Sequence, residues 1–244
     1  AIIKKVGARF EQEGITTKIF MPEDVQSFSR ISSYVYTALI DPSAKEYTDI
    51  IATHNYALDG ITAGSVGPDY WAQTYEIAKT YDKQLWMTET SGFNNDWGGA
   101  YNLALSIYNA LKFGKVNAWV WWALSGQESS KYQLMIDGEP TKRYYTSKQF
   151  YKYVRPGAVQ IKASSEKNDL LILAFDHPQD KTETIVVINN SAQEQEVTLE
   201  GHSASSFQIF RSTANEDCEL IETVDATSKV IFPISSVTTL YGSY

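Results

Sequence analysis

The chain changes grammar at Arg155-Pro156-Gly157, and that change constrains its fold more than any other feature of the 244 residues. Before it, short apolar segments alternate with stretches of helical periodicity. After it, helical periodicity disappears, and short β-type segments separated by Gly, Asn, Ser and Asp take over. Strands separated by helices imply parallel pairing with right-handed crossovers, whereas serial short strands with turn residues imply an antiparallel sandwich. The expectation is an α/β region over 1–155 and an all-β region over 156–244, joined by a linker too short for independent motion.

Within the first region, Ala1 to Phe10 reads as a helix, apolar at Ile2, Ile3, Val6 and Phe10 but without a capping residue, as if the chain starts inside a fold. Gly14 serves as its stop, Ile15 to Phe20 is predicted as a strand, and Met21-Pro22-Glu23-Asp24 as a turn. A helical stretch follows, then the strand Asp49 to Thr53, ending in His54-Asn55-Tyr56. Gly60, Gly64, Gly67 and Pro68 mark a loop before a helix over Tyr70 to Tyr81. The strand leading into Glu89 comes next, then a helix from about Gly99 to Phe113, a strand over Val116 to Trp122, and a helix from Lys142 to Val154. These are four βα units, too few to close a barrel alone. Beyond the linker, strands are expected at 170–175, 184–189, 194–199, 206–210 and 238–241.

Glu89 stands out because it ends an apolar strand, Gln84-Leu85-Trp86-Met87-Thr88, and small polar residues follow at once. A carboxylate at the mouth of a buried strand is costly unless it is used or paired. In barrels of βα units, catalytic residues gather at that end of the strands. Taken alone, Glu89 reads equally well as a capping or salt-bridged carboxylate.

The formal charge of −8 and the pI near 5.0 argue against nucleic acid and against an anionic membrane surface, since both need clustered Lys and Arg. A neutral or weakly charged ligand fits better. The wealth of Tyr and Trp suits stacking on sugar rings and equally suits core filling. Cys218 is the only cysteine, which excludes an intrachain disulfide and a cysteine-based metal cluster. His54, His177 and His202 are far apart and form no metal-ligand motif, so no metal and no cofactor is expected. Apolar runs are strand-length, and nothing in the chain resembles a signal peptide or a membrane span.

Several motifs in order, LWMTETSG around Glu89, His54-Asn55-Tyr56, NAWVWW at Asn117 to Trp122, DGEPTKRYYTSKQFYKYVRPGAVQI ending at Ile161, and PISSVTTL at Pro233 to Leu240, give the chain a resemblance to the family 30 glycoside hydrolases. That family has a (β/α)8 TIM barrel followed by a β-sandwich. The resemblance covers essentially the whole chain and implies that its four strands are barrel strands five to eight, half of the barrel. The wording from Val116 to Val159 resembles the xylan-cleaving subgroup most.

Such enzymes cleave with retention, using two carboxylates about 5 Å apart, one the nucleophile and one the general acid and base. By resemblance Glu89 is the nucleophile. The acid/base Glu belongs to an Asn-Glu-Pro motif after barrel strand four, expected before Ala1 and absent from this sequence; Gly138-Glu139-Pro140 is the only Glu-Pro and falls in a polar turn. His54 and Tyr56 match a strand-end motif whose side chains reach the sugar, with Tyr56 placed to hydrogen-bond Glu89; a buried, satisfied histidine remains open for His54. By family pattern Trp122 is the stacking platform, while Trp119, Trp121 and Trp86 read as packing residues. Phe93 and Trp97, with Asn94 to Asp96, either line a neighbouring subsite or cap the next helix.

In glucuronate-dependent members the loop after strand eight carries an arginine. Here Ser125 to Lys131 has none, which implies no strict dependence on a glucuronate branch. The resemblance implies a secreted retaining β-glycosidase acting on a β-linked polysaccharide or oligosaccharide, most simply an endo-β-1,4-xylanase. The alternatives are a family 30 β-glucosidase, β-xylosidase or β-1,6-glycanase, or a degenerate carbohydrate-binding or scaffold protein. A half-barrel would expose the edges of its outer strands, so a homodimer or a complementary N-terminal half-barrel chain is expected.

Overall fold

The computed structural model describes residues 1–25, 28–57, 64, 67–127 and 131–244, apart from the side chain of Ser29. Gly60 as a loop marker, and the Glu128-Ser129-Ser130 part of the arginine-free loop, lie outside the described residues. The chain divides into two compact units. One comprises the described residues of Ala1–Gly92, Asn109–Leu124 and Lys131–Gln133; the other comprises Phe93–Tyr108, 125–127 and Leu134–Tyr244.

The first unit follows the βα grammar. Its elements are α1 (Ile2–Gln12), β1 (Phe20–Asp24), α2 (Phe28–Leu39), α3 (Pro42–Glu46), β2 (Ile50–His54), α4 (Pro68–Thr80), β3 (Gln84–Glu89), the end of α5 (Trp97–Phe113) and β4 (Ala118–Trp119). The four strands form one parallel sheet in the order β1-β2-β3-β4. The helices start where the local chemistry allows. The Asp41 side chain accepts hydrogen bonds from the amides of Ser43 and Ala44 at the head of α3. Pro68 opens α4, with Asp69 in its first turn and Lys79 in its last, both matched to the helix dipole.

One face of the sheet packs on helices. Ile31, Val35 and Leu39, spaced four apart on α2, meet Ile51 and Leu85, Met87 and the α4 residues Trp71, Ile77 and Ala78. The other face carries Phe20 and Trp86, whose ring centroids are 6.5 Å apart, beside the Ile50 and Ala52 positions with which they pair.

Two irregularities sit at the C-terminal end of this sheet. Pro22 pairs with Ala52 and Asp24 with Thr53, so Glu23 is an extra residue in β1. Thr53 pairs with Met87 and His54 with Glu89, so Thr88 is an extra residue in β3. Side chains alternate in a regular strand, which would put Glu89 on the helix-packed face with Met87. The bulge at Thr88 instead aligns Glu89 with His54, on the opposite face.

Two expectations are corrected here. The first strand is Phe20–Asp24, not Ile15 to Phe20, because the register with β2 begins at Phe20 opposite Ile50. β-propensity in Ile15-Thr16-Thr17 does not make a strand without a partner in register. The strand expected over Val116 to Trp122 has register partners only at Ala118 and Trp119. Beyond them the Val120 and Trp122 amides still donate to the carbonyls of Met87 (2.9 Å) and Thr90 (2.9 Å).

The second unit holds the start of α5, then β5 (Ser125–Gly126), β6 (Met135–Ile136), β7 (Glu139–Pro140), α6 (Lys142–Tyr151), β8 (Val159–Ile161), β9 (Leu170–His177), β10 (Thr182–Asn189), β11 (Gln195–Thr198), β12 (Ser206–Ser212), β13 (Asp217–Asp225), β14 (Lys229–Phe232) and β15 (Val237–Ser243). Six strands form an antiparallel sheet in the order β13-β12-β15-β10-β9-β8, and β11 pairs with β14. Phe207, Ile209, Leu240, Val187 and Leu170 pack with Val230 and Phe232 in one core. The change to all-β structure after the Arg155-Pro156-Gly157 linker matches expectation. β8, β13 and β14 were not foreseen, and α6 ends at Tyr151 rather than Val154.

Candidate active site

The strand ends of the first unit bring three chemistry-bearing side chains together. Glu89 ends β3, His54 ends β2, and Glu23 comes from the bulge in β1. His54 Nε2 lies 2.6 Å from Glu23 Oε1 and 3.8 Å from Glu89 Oε2. The second Glu23 oxygen accepts from the Thr88 hydroxyl at 2.9 Å. The Glu89 side chain is 29% exposed and His54 15%, so the nucleophile candidate is open to a ligand while its neighbour is largely covered.

The electrostatics follow from this pairing. The Glu23 hydrogen bond holds the His54 pKa above its ordinary 6.5; burial opposes that, and the charges of Glu23, Glu89 and Asp24 reinforce it. Tyr56, past the end of β2, is buried, with its hydroxyl 3.2 Å from Ser91 Oγ and its ring edge-on to His54 at 5.9 Å. Burial is the main reason its pKa is pushed up to about 12, and the nearby Glu89 carboxylate adds to the rise. The Tyr56 phenol therefore stays protonated and able to donate.

Among the described residues, Glu23, His54 and Glu89 form the one group whose carboxylate and imidazole atoms all lie within 4.8 Å of one another. Sequence spacing did not disclose it, because the three come from three strands. The 2.6 Å Glu23–His54 separation is that of a charge-assisted hydrogen bond, so this pair shares a proton as it stands.

Of the residues predicted from sequence, Glu89, His54 and Tyr56 come together. Trp122 belongs to the same unit, 57% exposed, with its amide bonded to the Thr90 carbonyl one residue past Glu89. Its neighbour Trp121 is buried and donates its indole N–H to the Tyr132 carbonyl at 2.7 Å, in keeping with a packing role. Phe93 and Trp97 fall in the second unit. There Phe93 is buried with its carbonyl held by Arg143, and the Trp97 indole donates to the Ser235 carbonyl at 3.0 Å. Asp96 accepts the Gly99 amide at 2.8 Å, the helix-capping alternative for that loop.

Glu23 and Thr88 were missed by sequence reasoning. Pro22-Glu23-Asp24 looks like a turn in the sequence, and Glu23 becomes an acidic strand end only once β2 supplies the register. The second unit has a cavity of about 600 Å³, lined in part by Phe175, Ile185, Val197 and Glu183. Its buried carboxylate, Glu183, is already committed to the amides of Ser203 and Ala204 at 2.9–3.0 Å.

The parallel sheet of the first unit thus gathers two carboxylates and an imidazole at the C-terminal ends of its strands. No family model matches the chain. It is 29% identical to glucuronoxylanase XynC of Bacillus subtilis (strain 168) over 222 residues, 86% of this chain and 49% of that protein. Among solved structures, it resembles a GH30 endoxylanase from Clostridium papyrosolvens C71 with a TM-score of 0.79 and 22% identity, over 95% of this chain and 57% of that one. It also resembles the family 30 subfamily 8 xylanase Xyn30A from Clostridium acetobutylicum, with a TM-score of 0.78 and 24% identity, over 99% of this chain and 59% of that one. The chain therefore shares the fold of these family 30 xylanases over nearly all of its length. The chain spans about half the length of the curated relatives it matches.

Proposed function

We propose that residues 1–155 are strands five to eight of a (β/α)8 barrel carrying the nucleophile Glu89 of a retaining β-glycosidase, and that 156–244 form its β-sandwich side domain. The observation that carries this reading is Glu89 itself, turned by the Thr88 bulge onto the face where His54 stands. In this reading a Glu89 oxygen attacks the anomeric carbon, the bond to the leaving group breaks with its electron pair, and water later hydrolyses the glycosyl ester. Tyr56 donates a hydrogen bond into the site, His54 lines the sugar-binding subsite, and exposed Trp122 offers a ring face for stacking.

The substrate in this reading is β-1,4-linked xylan, outside the cell, without strict need for a glucuronate branch, since Ser125 to Lys131 contains no arginine. The edges of β1 and β4, with Phe20 exposed on one and Val120 and Leu124 exposed beyond the other, pair with a second copy of the chain or with a complementary half-barrel, and only the latter can bring the Asn-Glu-Pro of an acid/base partner.

The decisive test removes the need for that acid. A 2-deoxy-2-fluoro-β-xylosyl fluoride carries a leaving group that departs without protonation, so Glu89 alone suffices to form the ester. Intact-mass spectrometry should show one added fluoroxylosyl group, located on Glu89 by peptide mapping and absent from Glu89→Ala. No labelling of the folded wild-type chain sinks the nucleophile reading and leaves a carbohydrate-binding protein.

A further inference from the structure

We propose that Glu23 is a positioning residue for Glu89, acting through His54: it holds the imidazole Nε2–H for itself and so leaves the facing Glu89 oxygen free to attack. This rests on the reading of Glu89 as nucleophile and adds to it a residue from a third strand.

Three observations carry it. First, Glu23 and Glu89 compete for the same nitrogen. Nε2 of His54 is 2.6 Å from Glu23 Oε1 but 3.8 Å from Glu89 Oε2, so one carboxylate has the hydrogen bond and the other only an ion-pair contact. A nucleophile whose lone pair accepts a strong hydrogen bond is a weaker nucleophile, and Glu23 removes that competitor.

Second, both oxygens of Glu23 are committed at once. Its Oε2 takes the hydroxyl of Thr88, the bulge residue immediately before Glu89, so a single carboxylate braces the end of β2 and the bulge of β3 from β1.

Third, Glu23 occupies the left-handed region at φ 61°. A non-glycine residue adopts that conformation at a cost, and it persists where the surroundings over-determine it, often at functional sites. The extra residue in β1 is what turns its side chain toward His54, while Asp24 is aligned with Thr53 and pairs with Arg30 at 3.0 Å.

The charged and titratable groups around the imidazole are Glu23 and Asp24 from β1, Glu89 from β3 and the Tyr56 phenol beyond β2. Arg30 from α2 is paired to Asp24. Of these, only Glu23 is hydrogen-bonded to His54, and it is the strongest influence holding the ring protonated.

The test combines ring NMR of the three histidines with the labelling assay, in wild type, Glu23→Gln and Glu23→Ala. Glu23→Gln keeps the shape and a hydrogen-bond acceptor but not the charge, so circular dichroism should show a native fold even where Glu23→Ala unfolds. His54 should titrate at lower pH in Glu23→Gln. Labelling of Glu89 by the xylosyl fluoride should slow between about ten- and a hundredfold, the range expected for a misplaced reacting group, and its pH profile should shift with the His54 titration. An unchanged His54 titration, or an unchanged labelling rate in a folded Glu23→Gln chain, overturns the proposal while the nucleophile reading stands. An unlabelled wild-type chain overturns both.

Discussion

His54 ties the stability of the first unit to pH, with a sign that its hydrogen bond determines. Its folded pKa is raised above 6.5 by Glu23, so the proton is bound more tightly in the folded chain. The stabilisation is fully present below about pH 6.5, the unfolded value, and is lost as pH rises through the folded value. Urea midpoints should therefore fall as the pH rises above about 6.5, and the fall should flatten in Glu23→Gln. A second residue-scale prediction concerns Gly99, where an added Cβ would meet the Asn94 carbonyl oxygen at 2.2 Å and its amide nitrogen at 2.6 Å. Those are backbone atoms and cannot swing away as a flexible side chain would. Gly99→Ala should cost about 1–3 kcal/mol in denaturant unfolding, or more if the capping loop shifts. Cys218 is buried, and burial raises its thiol pKa, so it should react with a disulfide reagent only once the chain unfolds.

Between elements, the turn from β12 into β13 is closed by a two-pronged ion pair. Arg211 donates from Nε at 2.7 Å and from Nη2 at 2.5 Å to the two oxygens of Glu216. The Arg211 hydrogen bond lowers the Glu216 pKa. The linkage here has the opposite sign, with stabilisation present above the unfolded value and lost as pH falls through the folded one. Glu216→Gln should remove that acid-side dependence and lower stability by about 1 kcal/mol, measured by urea unfolding at pH 7 and pH 3. Elements of this kind divide in how readable they were. β2 and β3 declared themselves as the apolar runs Ile50-Ile51-Ala52 and Leu85-Trp86-Met87, since Ile50, Ile51, Ala52, Leu85 and Met87 are all buried. β1 did not, because Pro22, Glu23 and Asp24 look like a turn until β2 supplies their register. β13, rich in Asp and Glu, was invisible for a related reason: it is an edge strand with most of its side chains in water, so no alternation marks it.

Across the molecule, the motif order foretold a parallel α/β part followed by an antiparallel part, and the position of Glu89 at a strand end. What it could not foretell was the Glu23–His54–Glu89 meeting, which joins residues up to 66 positions apart and depends on how strands align. At this scale the paired-edge proposal is checked by mass in solution. Sedimentation should give twice 27.4 kDa, or a mixed species with the complementary half, and a well-behaved monomer would argue against edge pairing. The two bulges carry one last consequence. A pleated strand is read in twos, so each extra residue acts as a frameshift, exchanging inside for outside in everything downstream of it until the strand ends. Deleting Thr88 would change no functional group on Glu89, yet would turn that carboxylate back among Met87 and its apolar neighbours. A homologue one residue shorter there could keep the same glutamate and have its carboxylate facing the wrong way, so relatives of this chain are better compared by counting positions than by matching residues.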